Sequence, residues 1–418
     1  MRHTLSAVQY TGLFLLTLLL VSGGCVEEQT TQAPSPYAQM DNNEQFIVRV
    51  ILLEDVNSCT FKTALPFTIS GQMQDLQMPP ARADAPVYIN TAAGKITIAG
   101  QPFGGNEITL SPEDPPIFSL NGNYYRGRLK LVLNPGGNSF DAINMLQLEQ
   151  YLAGVVGAEM SEYWQPAALR AQAIAARTYC LYSKKRFGGK RDWDVKKTQA
   201  NQVYLGMKAE SAKIWDAVNR TKGEVLVCRQ DNGTEDIFPA YYSSMCGGHT
   251  EGSLYVFGDS FQPLAGVTCP YCKSITKTDF FFWPPAQFDK KKVASSLVRK
   301  YPSLEQLGEI KNIEASRQST YGEFARCTQI RLVGSTGKSD FLKAEDLRLT
   351  IDPSGRIIRS TICQIVDMVD RWAFISGRGY GHGVGLCQYG AQAMAKLGGG
   401  EDWILSYYYP YSKITKIY

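Results

Sequence analysis

Two pairs of cysteine and histidine side chains near the middle of the chain have the spacing of a metal site. The stretch CGGHTEGSLYVFGDSFQPLAGVTCPYC contains Cys246 and His249, followed at a distance by Cys269 and Cys272. Two ligand pairs, each on its own turn, are what a tetrahedral Zn²⁺ site requires. Four protein ligands would close the coordination sphere, so we expect a structural zinc ion as the cofactor. A disulfide between the last two cysteines and a redox dithiol in CPYC are the alternatives; the residues that follow CPYC form a poor helix, which disfavours the dithiol.

A carboxylate in an apolar setting is the second group that could do chemistry. Glu159 lies in the stretch VVGAEMSEYWQP, beside bulky apolar residues. Such neighbours disfavour the charged form and raise the pKa of a carboxyl group. A carboxyl group that keeps its proton near neutral pH can act as a general acid on a glycosidic bond. The alternative is a solvated glutamate at a helix–helix corner, and Glu149 and Glu162 are competing carboxylates.

Two arginines follow in the alanine-rich stretch AALRAQAIAARTYCLYSKKR. Arg170 and Arg177 lie seven residues apart, which places them on one helix face, two turns apart. We expect the preceding helix to end near Glu159 and this helix to begin at Pro166. Because its alanines allow close packing, the helix is expected to be central. Its arginines predict either a groove that holds polar or anionic groups or a pair of structural ion pairs.

The last candidate is a glycine-rich ribbon in SGRGYGHGVGLCQYG, where glycines alternate over residues 377–385. Alternating glycines allow the backbone to approach a ligand or another chain segment closely. The ribbon lacks the lysine and Ser/Thr of a phosphate-binding loop. His382 lies at its centre, where it could be a second acid/base, a substrate hydrogen-bonding group or a buried tether.

These segments require a scaffold of helices and strands. Short apolar or alternating runs predict a β-rich region over residues 46–140. Helical spacing then predicts a helical catalytic region, including the zinc site, over 141–275. A mixed, β-rich region follows over 276–372, and 373–418 form the ribbon and a C-terminal segment that returns to the core. The predicted fold class is α+β, with a helical core packed with β-rich segments from both parts of the chain.

The N-terminus predicts export. Residues 1–25, MRHTLSAVQYTGLFLLTLLLVSGGC, combine a positive start with an apolar run of about a dozen residues, shorter than the about 20 of a membrane span. Small residues before Cys25 predict that this cysteine is lipidated, with an ordinary secretory signal as the alternative. Residues 26–45 are polar and aperiodic, as in a flexible tether. We therefore expect a membrane-anchored lipoprotein outside the cytoplasm, on the periplasmic face in a cell with two membranes.

Composition narrows the function classes. The 418 residues suffice for one large or two ordinary domains, and 44% hydrophobic with 20% charged residues is typical of a globular protein. A net charge of +4 with dispersed basic residues excludes the electrostatic footprint of a nucleic-acid binder. Export permits disulfides, but the sequence leaves the pairing of six cysteines open: Cys59, Cys180, Cys228, Cys327, Cys363 and Cys387.

Six motifs, taken in order, resemble the SpoIID/LytB family of stage II sporulation protein D and amidase-enhancer relatives: LEQYLAGVVGAEM, AALRAQAIAARTY, NQVYLG, AYYSSMCGGHTE, GRGYGHGVGLCQYGAQAMAKLG and ILSYYYP. The resemblance runs from about Tyr124 to the C-terminus. It implies a peptidoglycan lytic transglycosylase, a carbon–oxygen lyase that cleaves MurNAc–GlcNAc bonds, preferably in peptide-stripped glycan, to 1,6-anhydroMurNAc ends. It also implies that Glu159 is the catalytic acid. The substrate-binding residues it implies, with His382 added from the ribbon, are Arg170, Arg177, Tyr241 and Tyr242.

A single carboxylate suits this reaction. Glycoside hydrolases use two carboxylates, whereas in a lytic transglycosylase the 6-hydroxyl of the sugar attacks the anomeric carbon.

The expected partners are glycan strands, a membrane and a cell-wall amidase. The alternative functions are a non-catalytic glycan-binding enhancer of an amidase and a zinc amidase, which four protein ligands disfavour. Many relatives have serine and tyrosine at Cys246 and His249 and serine at Cys387, so this chain resembles a zinc-bearing branch; EMSEYW also lacks the proline that commonly follows E-M.

Overall fold

The computed structural model describes residues 46–71, 75–80, 85–230 and 232–418. The predicted export signal, the predicted lipidation site Cys25 and the predicted tether over residues 26–45 lie outside the described residues. Within those ranges, no helix combines the length and the apolar character needed to cross a membrane. Helices and several sheets alternate along the chain, which confirms the α+β fold class.

The N-terminal part of the described chain consists of strands. They are β1 (Ile47–Val56), β2 (Ser58–Lys62), β3 (Phe67–Ser70), β4 (Leu76–Met78), β5 (Val87–Ala92), β6 (Lys95–Ile98), β7 (Gln101–Pro102), β8 (Glu107–Pro112), β9 (Ile117–Leu120), β10 (Asn123–Arg126), β11 (Arg128–Leu133) and β12 (Phe140–Gln147). Alternation explains their burial, because successive side chains of a strand point to opposite faces. In β8, Ile108 and Leu110 are fully buried and Glu107 is exposed.

Two α-helices follow β12 and position the candidate acid. They are α1 (Leu148–Glu159) and α2 (Pro166–Phe187). Pro166 occupies the first turn of α2, where its missing N–H costs nothing, as predicted. The central position expected for α2 is confirmed, because every alanine after Ala167 and most of its first four turns are buried. A Cβ on Gly157 would lie 1.9 Å from the Ala209 carbonyl oxygen, so this glycine allows α1 to approach the segment after residue 202.

The remaining elements are helices and strands, most of them short. They are β13 (Val195–Lys196), α3 (Ala212–Arg220), β14 (Glu224–Arg229), β15 (Glu235–Ile237), β16 (Tyr242–Ser243), α4 (Ser253–Val256), α5 (Tyr271–Ile275), α6 (Thr278–Phe281), β17 (Phe282–Trp283), β18 (Ala286–Asp289), α7 (Lys290–Lys300), β19 (Ile310–Tyr321), β20 (Phe324–Gly334), β21 (Ser339–Lys343), α8 (Ala344–Ile351), β22 (Gln364–Asp367), β23 (Arg371–Ile375), β24 (Gly377–Arg378), β25 (Leu386–Cys387), α9 (Gln388–Lys396), α10 (Glu401–Tyr408) and β26 (Ser412–Lys416).

The two N-terminal sheets are mostly antiparallel. One contains seven strands in the order β13-β1-β12-β11-β8-β3-β4, and the other six in the order β10-β9-β2-β5-β6-β7. β1 pairs with β12 in antiparallel register from Ile47 opposite Gln147. Because β12 runs directly into α1, this pairing fixes the start of the helix that ends at Glu159.

Two hydrophobic clusters organise the described residues. The first contains α1, α2 and the N-terminal strands together with the C-terminal residues 384–409. The second lies within residues 283–374. The C-terminal segment lies on the first cluster, where β25 pairs in parallel with β16 and β26 pairs with β14. Arg326 in β20 joins the two clusters, because Nη2 donates to the Cys246 carbonyl at 2.7 Å.

Candidate active site and cysteine cluster

Glu159 is the last residue of α1, and its partly buried carboxyl group is held at both oxygens. Oε1 accepts the backbone N–H of Val203 at 2.9 Å, and Oε2 accepts Nε2 of Gln388 at 3.3 Å. Burial raises the pKa of Glu159, and the two hydrogen bonds partly oppose that shift by favouring the charged form. The direction of the pKa shift predicted from the apolar neighbours is therefore confirmed.

Tyr242 lies near Glu159 and is oriented by a buried glutamine. Gln202 donates Nε2 to the Tyr242 hydroxyl at 2.9 Å and accepts the Tyr151 hydroxyl at 3.0 Å. Burial raises the pKa of Tyr242 well above its usual range, and the charge of Glu159 adds to the shift. Tyr242 therefore stays protonated and close to the candidate acid. Sequence reasoning assigned no role to Gln202 or Gln388, although both lie in the motifs NQVYLG and GLCQYGA.

Tyr241 points away from this network, because neighbouring residues of an extended segment face opposite sides. Its hydroxyl donates to Asp259 Oδ2 at 3.0 Å, and its ring stacks on Phe257 with 4.1 Å between ring centroids. The two tyrosines that were predicted to bind substrate thus have different environments, and only Tyr242 is coupled to Glu159.

His382 is held by contacts within the fold. Its Nδ1 accepts the Val384 N–H at 3.0 Å, and the ring also hydrogen-bonds the backbone of Tyr242. The ring packs edge-on against Phe257, with 5.0 Å between the ring centroids. Burial lowers the pKa of His382 to about 4, so the ring is neutral at pH 7. Of the three roles predicted for His382, these contacts favour the buried tether over an acid/base or a group that hydrogen-bonds substrate.

Arg170 and Arg177 form ion pairs. Arg177 is fully buried; Nη2 lies 2.6 Å from Glu149 Oε2, and Nη1 donates to the Glu224 carbonyl at 3.0 Å. Arg170 donates Nε and Nη2 to the two carboxylate oxygens of Glu401 at 2.7 and 2.8 Å. The structure corrects the predicted substrate contact of Arg177, because a substrate cannot reach a buried, paired guanidinium. The carboxylate of Glu401 likewise binds two of the donors of Arg170.

Four buried thiols form a cluster beside α9. The sulfurs of Cys246, Cys269, Cys272 and Cys387 all lie within 4.8 Å of one another. All four are free cysteines, so the CPYC disulfide considered from the sequence is not formed in this structure. The Cys246 and Cys272 sulfurs are 3.8 Å apart, and a tetrahedron with Zn–S bonds of about 2.3 Å has edges of about 3.8 Å.

The surroundings of the cluster also fit a metal ion. Cys387 is the N-cap of α9, and its sulfur accepts the N–H groups of Cys246 at 3.3 Å and Gly390 at 3.4 Å. The Tyr408 hydroxyl lies 3.1 Å from the Cys269 sulfur. Donors around the sulfurs are the outer-shell contacts that orient thiolate ligands.

His249 is not part of the cluster, which corrects the fourth ligand expected from the sequence. Its Nδ1 lies 2.6 Å from the Thr250 carbonyl oxygen, and its ring stacks on Tyr321 with 3.8 Å between ring centroids. Cys387 takes the fourth place because β25 pairs with β16 and brings Ser243 opposite Cys387. The available signal was the presence of cysteine at both position 246 and position 387.

Comparisons with known proteins identify the family of this chain. Residues 136–228, which include Glu159 and Gln202, match the family described as Stage II sporulation protein (SpoIID). An uncharacterised protein of Brachyspira hyodysenteriae is 32% identical over 297 residues, which cover 70% of this chain and 72% of that protein. The Stage II sporulation protein D of Bacillus subtilis is 29% identical over 298 residues, covering 66% and 76% of the two chains.

The Amidase enhancer of Bacillus subtilis is 28% identical over 372 residues, which cover 80% of this chain. The match spans only 50% of that protein's length. Its name refers to an amidase, whereas the name of the other Bacillus subtilis relative refers to sporulation. The family match and the relatives lead to one conclusion: this chain belongs to the SpoIID family.

Proposed function

We propose that this protein is a peptidoglycan lytic transglycosylase in which Glu159 is both acid and base. The observation that carries the proposal is the setting of Glu159. Its carboxyl group is partly buried at the end of α1, and its pKa is raised. Within the described residues, the groups that shift its pKa include no second carboxylate. A hydrolase that inverts or retains would need such a partner, whereas a transglycosylase does not.

The reaction needs one proton and returns it. Protonated Glu159 donates its proton to the glycosidic oxygen as the bond from that oxygen to the anomeric carbon of MurNAc breaks. The 6-hydroxyl oxygen of the same sugar then bonds to the anomeric carbon, and its proton passes to the Glu159 carboxylate. The product is a 1,6-anhydroMurNAc end, and Glu159 is protonated for the next cycle. Val203 and Gln388 hold the carboxyl group in one orientation for both transfers.

Digestion of peptide-stripped glycan strands tests the proposal. The parent protein should release products with anhydroMurNAc ends, detected by mass spectrometry, and Glu159→Gln should abolish that release. Glu162→Gln is the matched control, because Glu162 lies three residues away and makes no contact with Val203 or Gln388. Release of anhydro products by Glu159→Gln would refute the assignment.

A second candidate function is a glycan-binding enhancer of a cell-wall amidase, which the name of the Bacillus subtilis Amidase enhancer favours. In that case the protein binds glycan without cleaving it, and the Glu159→Gln variant stimulates an amidase as strongly as the parent. Parallel assays of anhydro products and of amidase rate on one substrate separate the two functions.

We also propose that the four-cysteine cluster holds a structural Zn²⁺ ion. Four thiolate ligands would close the coordination sphere, so the ion would cross-link the chain and leave no open position for substrate. Cys246 lies just beyond β16, Cys269 and Cys272 flank the start of α5, and Cys387 begins α9. The cluster therefore ties together the segments that carry Tyr242 and Gln388, two of the residues that lie close to Glu159.

The proposed location is outside the cytoplasm, with the protein anchored through a lipid on Cys25. The support is the N-terminal sequence, a positive start and an apolar run before small residues and a cysteine. Mass spectrometry of the N-terminal peptide tests it. An acylated N-terminal Cys25 would support the anchor, and a mature chain that begins at Val26 or later would exclude it.

A further inference from the structure

Three cations and three aromatic rings alternate along the surface at the C-terminal end of α2. The Arg191 guanidinium carbon lies 4.8 Å from the ring centroid of Phe187 and 3.6 Å from that of Trp193. Arg186 lies 5.3 Å from the Phe187 centroid, and the Lys196 ammonium 5.3 Å from the Trp193 centroid. The six residues, which we call the basic–aromatic surface, are Tyr182, Arg186, Phe187, Arg191, Trp193 and Lys196.

This surface carries a local excess of positive charge. The basic residues of the chain are dispersed overall, but residues 184–197 contain seven of the 43 Lys and Arg residues and only two acidic ones. Four of the seven form ion pairs: Lys184 with Asp194, Lys185 with Asp236, Arg186 with Asp259 and Lys196 with Glu54. In the part of the chain that the structure describes, no carboxylate forms an ion pair with the other three, Lys190, Arg191 and Lys197. Lys190 is also exposed.

The basic–aromatic surface lies against β1, the first strand of the described chain. Lys184 Nζ donates to the Ile47 carbonyl at 2.9 Å. Arg49 Nη2 donates to Oδ1 of Asp194 at 2.7 Å. β13, which ends in Lys196, pairs in parallel with β1. The surface is therefore adjacent to the point where the residues before β1 enter the fold.

The residues before β1 include the site of the proposed lipid anchor. Cys25 precedes Phe46 by 21 residues, and a chain of that length spans at most about 75 Å. A lipid on Cys25 would therefore keep β1, and with it the basic–aromatic surface, within reach of the bilayer. Anionic lipid headgroups attract Lys and Arg side chains near the membrane, and Trp rings favour the headgroup layer. An anionic bilayer thus matches both components of the surface.

We propose that the basic–aromatic surface docks onto the anionic headgroups of the membrane. Phosphate oxygens accept hydrogen bonds from Lys190 and Arg191, and the rings of Phe187 and Trp193 enter the headgroup layer. This contact fixes which face of the protein lies on the bilayer. The proposal rests on the proposed location through Cys25, and it is independent of lyase activity.

Vesicle binding by a chain that begins at Val26 tests the surface without the anchor. This chain lacks Cys25 and keeps the compact unit of residues 41–418. We expect it to bind vesicles of phosphatidylglycerol and phosphatidylcholine in equal parts, to bind pure phosphatidylcholine much more weakly, and to dissociate at about 0.5 M salt because the charges are screened. Lys190→Gln/Arg191→Gln should weaken binding about 30-fold, which is about fivefold for each charge removed.

The matched control is Lys291→Gln/Lys292→Gln, which removes the same charge from two exposed side chains on α7. It should bind the anionic vesicles as the parent does. Equal weakening by the two double variants would overturn the proposal, because net charge alone would then explain the binding. Equal binding of the parent to both kinds of vesicle would overturn it as well.

Two single variants separate the charge from the fold and from the rings. Arg191 also donates to the carbonyl groups of Trp193 and Asp194, so its replacement could disturb the loop. Lys190→Gln changes only an exposed side chain and should still weaken binding about fivefold; unchanged binding would overturn the proposal. Trp193→Leu should weaken binding by the same factor at low and at high salt, because burial of the ring is not screened.

Two further results distinguish this proposal from its neighbours. If Lys190→Gln/Arg191→Gln loses affinity for peptidoglycan and keeps that for anionic vesicles, the surface binds the wall and the membrane proposal is overturned. The anchor is tested separately by the mass of the N-terminal peptide. A mature chain without lipid would exclude the anchor and leave the vesicle result as it stands.

Discussion

Gln388 Nε2 lies 3.3 Å from Glu159 Oε2, and the residue before Gln388 is Cys387, whose sulfur belongs to the four-cysteine cluster. One peptide bond therefore joins a partner of the candidate acid to a candidate metal ligand. Cys387 is also the N-cap of α9, so the cluster and the helix start are fixed together. The position of the Glu159 carboxyl group thus depends on a contact between α1 and α9, two helices of the first hydrophobic cluster that lie far apart in the chain.

Removal of the Gln388 side-chain donor should change the pH profile of the reaction. Gln388 favours the charged form of Glu159, so Gln388→Leu should raise the pKa of that carboxyl group further. The pH at which activity falls on the alkaline side should then move upward, and kcat should drop about tenfold because the carboxyl group loses an orienting contact. Rates of anhydro-product release between pH 4 and 9 measure both effects.

The matched control for this prediction is Gln364→Leu, since Gln364 is an exposed glutamine in β22. Zinc content of Gln388→Leu should be measured as well, because Cys387 is adjacent. An alkaline limb that stays in place, with zinc unchanged, would contradict the assigned role of Gln388.

The Glu159 carboxyl group should lower the free energy of unfolding at neutral pH. Its folded-state pKa is raised above the ordinary value of 4.5, so the folded protein binds the proton more tightly than the unfolded chain. The stabilisation from this proton is fully present below pH 4.5 and is lost as the pH rises through the folded-state pKa. Glu159→Gln should therefore melt a few degrees higher than the parent at pH 7 and at nearly the same temperature at pH 4. If the difference in Tm between variant and parent is no larger at pH 7 than at pH 4, the pKa of Glu159 is not raised by burial.

The fourth zinc ligand is Cys387 in the cluster of the structure and His249 in the set predicted from the sequence. The two sets therefore differ in which variant should lose zinc. The parent should contain one zinc ion per chain by elemental analysis, and Cys387→Ser should lose it and unfold at a lower temperature, because structural zinc contributes directly to folding. His249→Ala should keep the metal, since His249 stacks on Tyr321 outside the cluster. Zinc retained in Cys387→Ser and lost in His249→Ala would restore the ligand set predicted from the sequence.

Arg177 and Arg170 should differ in their contribution to stability. The Arg177 side chain is 0% exposed and that of Arg170 23%. Arg177→Met should lower the free energy of unfolding by about 3–5 kcal/mol, because it leaves the largely buried Glu149 carboxylate without its cation, with only the Tyr418 hydroxyl to donate to it. Arg170→Met should cost about 1 kcal/mol or less, as for exposed ion pairs. Urea unfolding measures both values.

The double variant Arg177→Met/Glu149→Leu provides the control for this prediction. It should recover part of the lost stability, because no buried charge remains. Equal losses for the two single variants, or a specific loss of glycan affinity in folded Arg177→Met, would contradict the structural role of Arg177.

Features set by neighbours along the chain could be predicted from the sequence. Pro166 and the alanines after it predict the start and the central position of α2, because first-turn geometry and helix packing depend on residues within a few turns. The raised pKa of Glu159 follows from the apolar residues around it. The pairs Cys246–His249 and Cys269–Cys272 indicate a metal site for the same reason, since short spacing brings side chains onto one turn.

Only the tertiary structure decided which distant residues meet. Cys387 replaces His249 because two short strands, β16 and β25, pair in parallel, and no local period in the sequence encodes that pairing. Glu149 rather than a ligand meets Arg177 because α1 and α2 pack against each other. Local propensity therefore determined the elements and the chemistry of single side chains, whereas burial and long-range strand pairing determined the partners of Glu159, of the arginines and of the thiols.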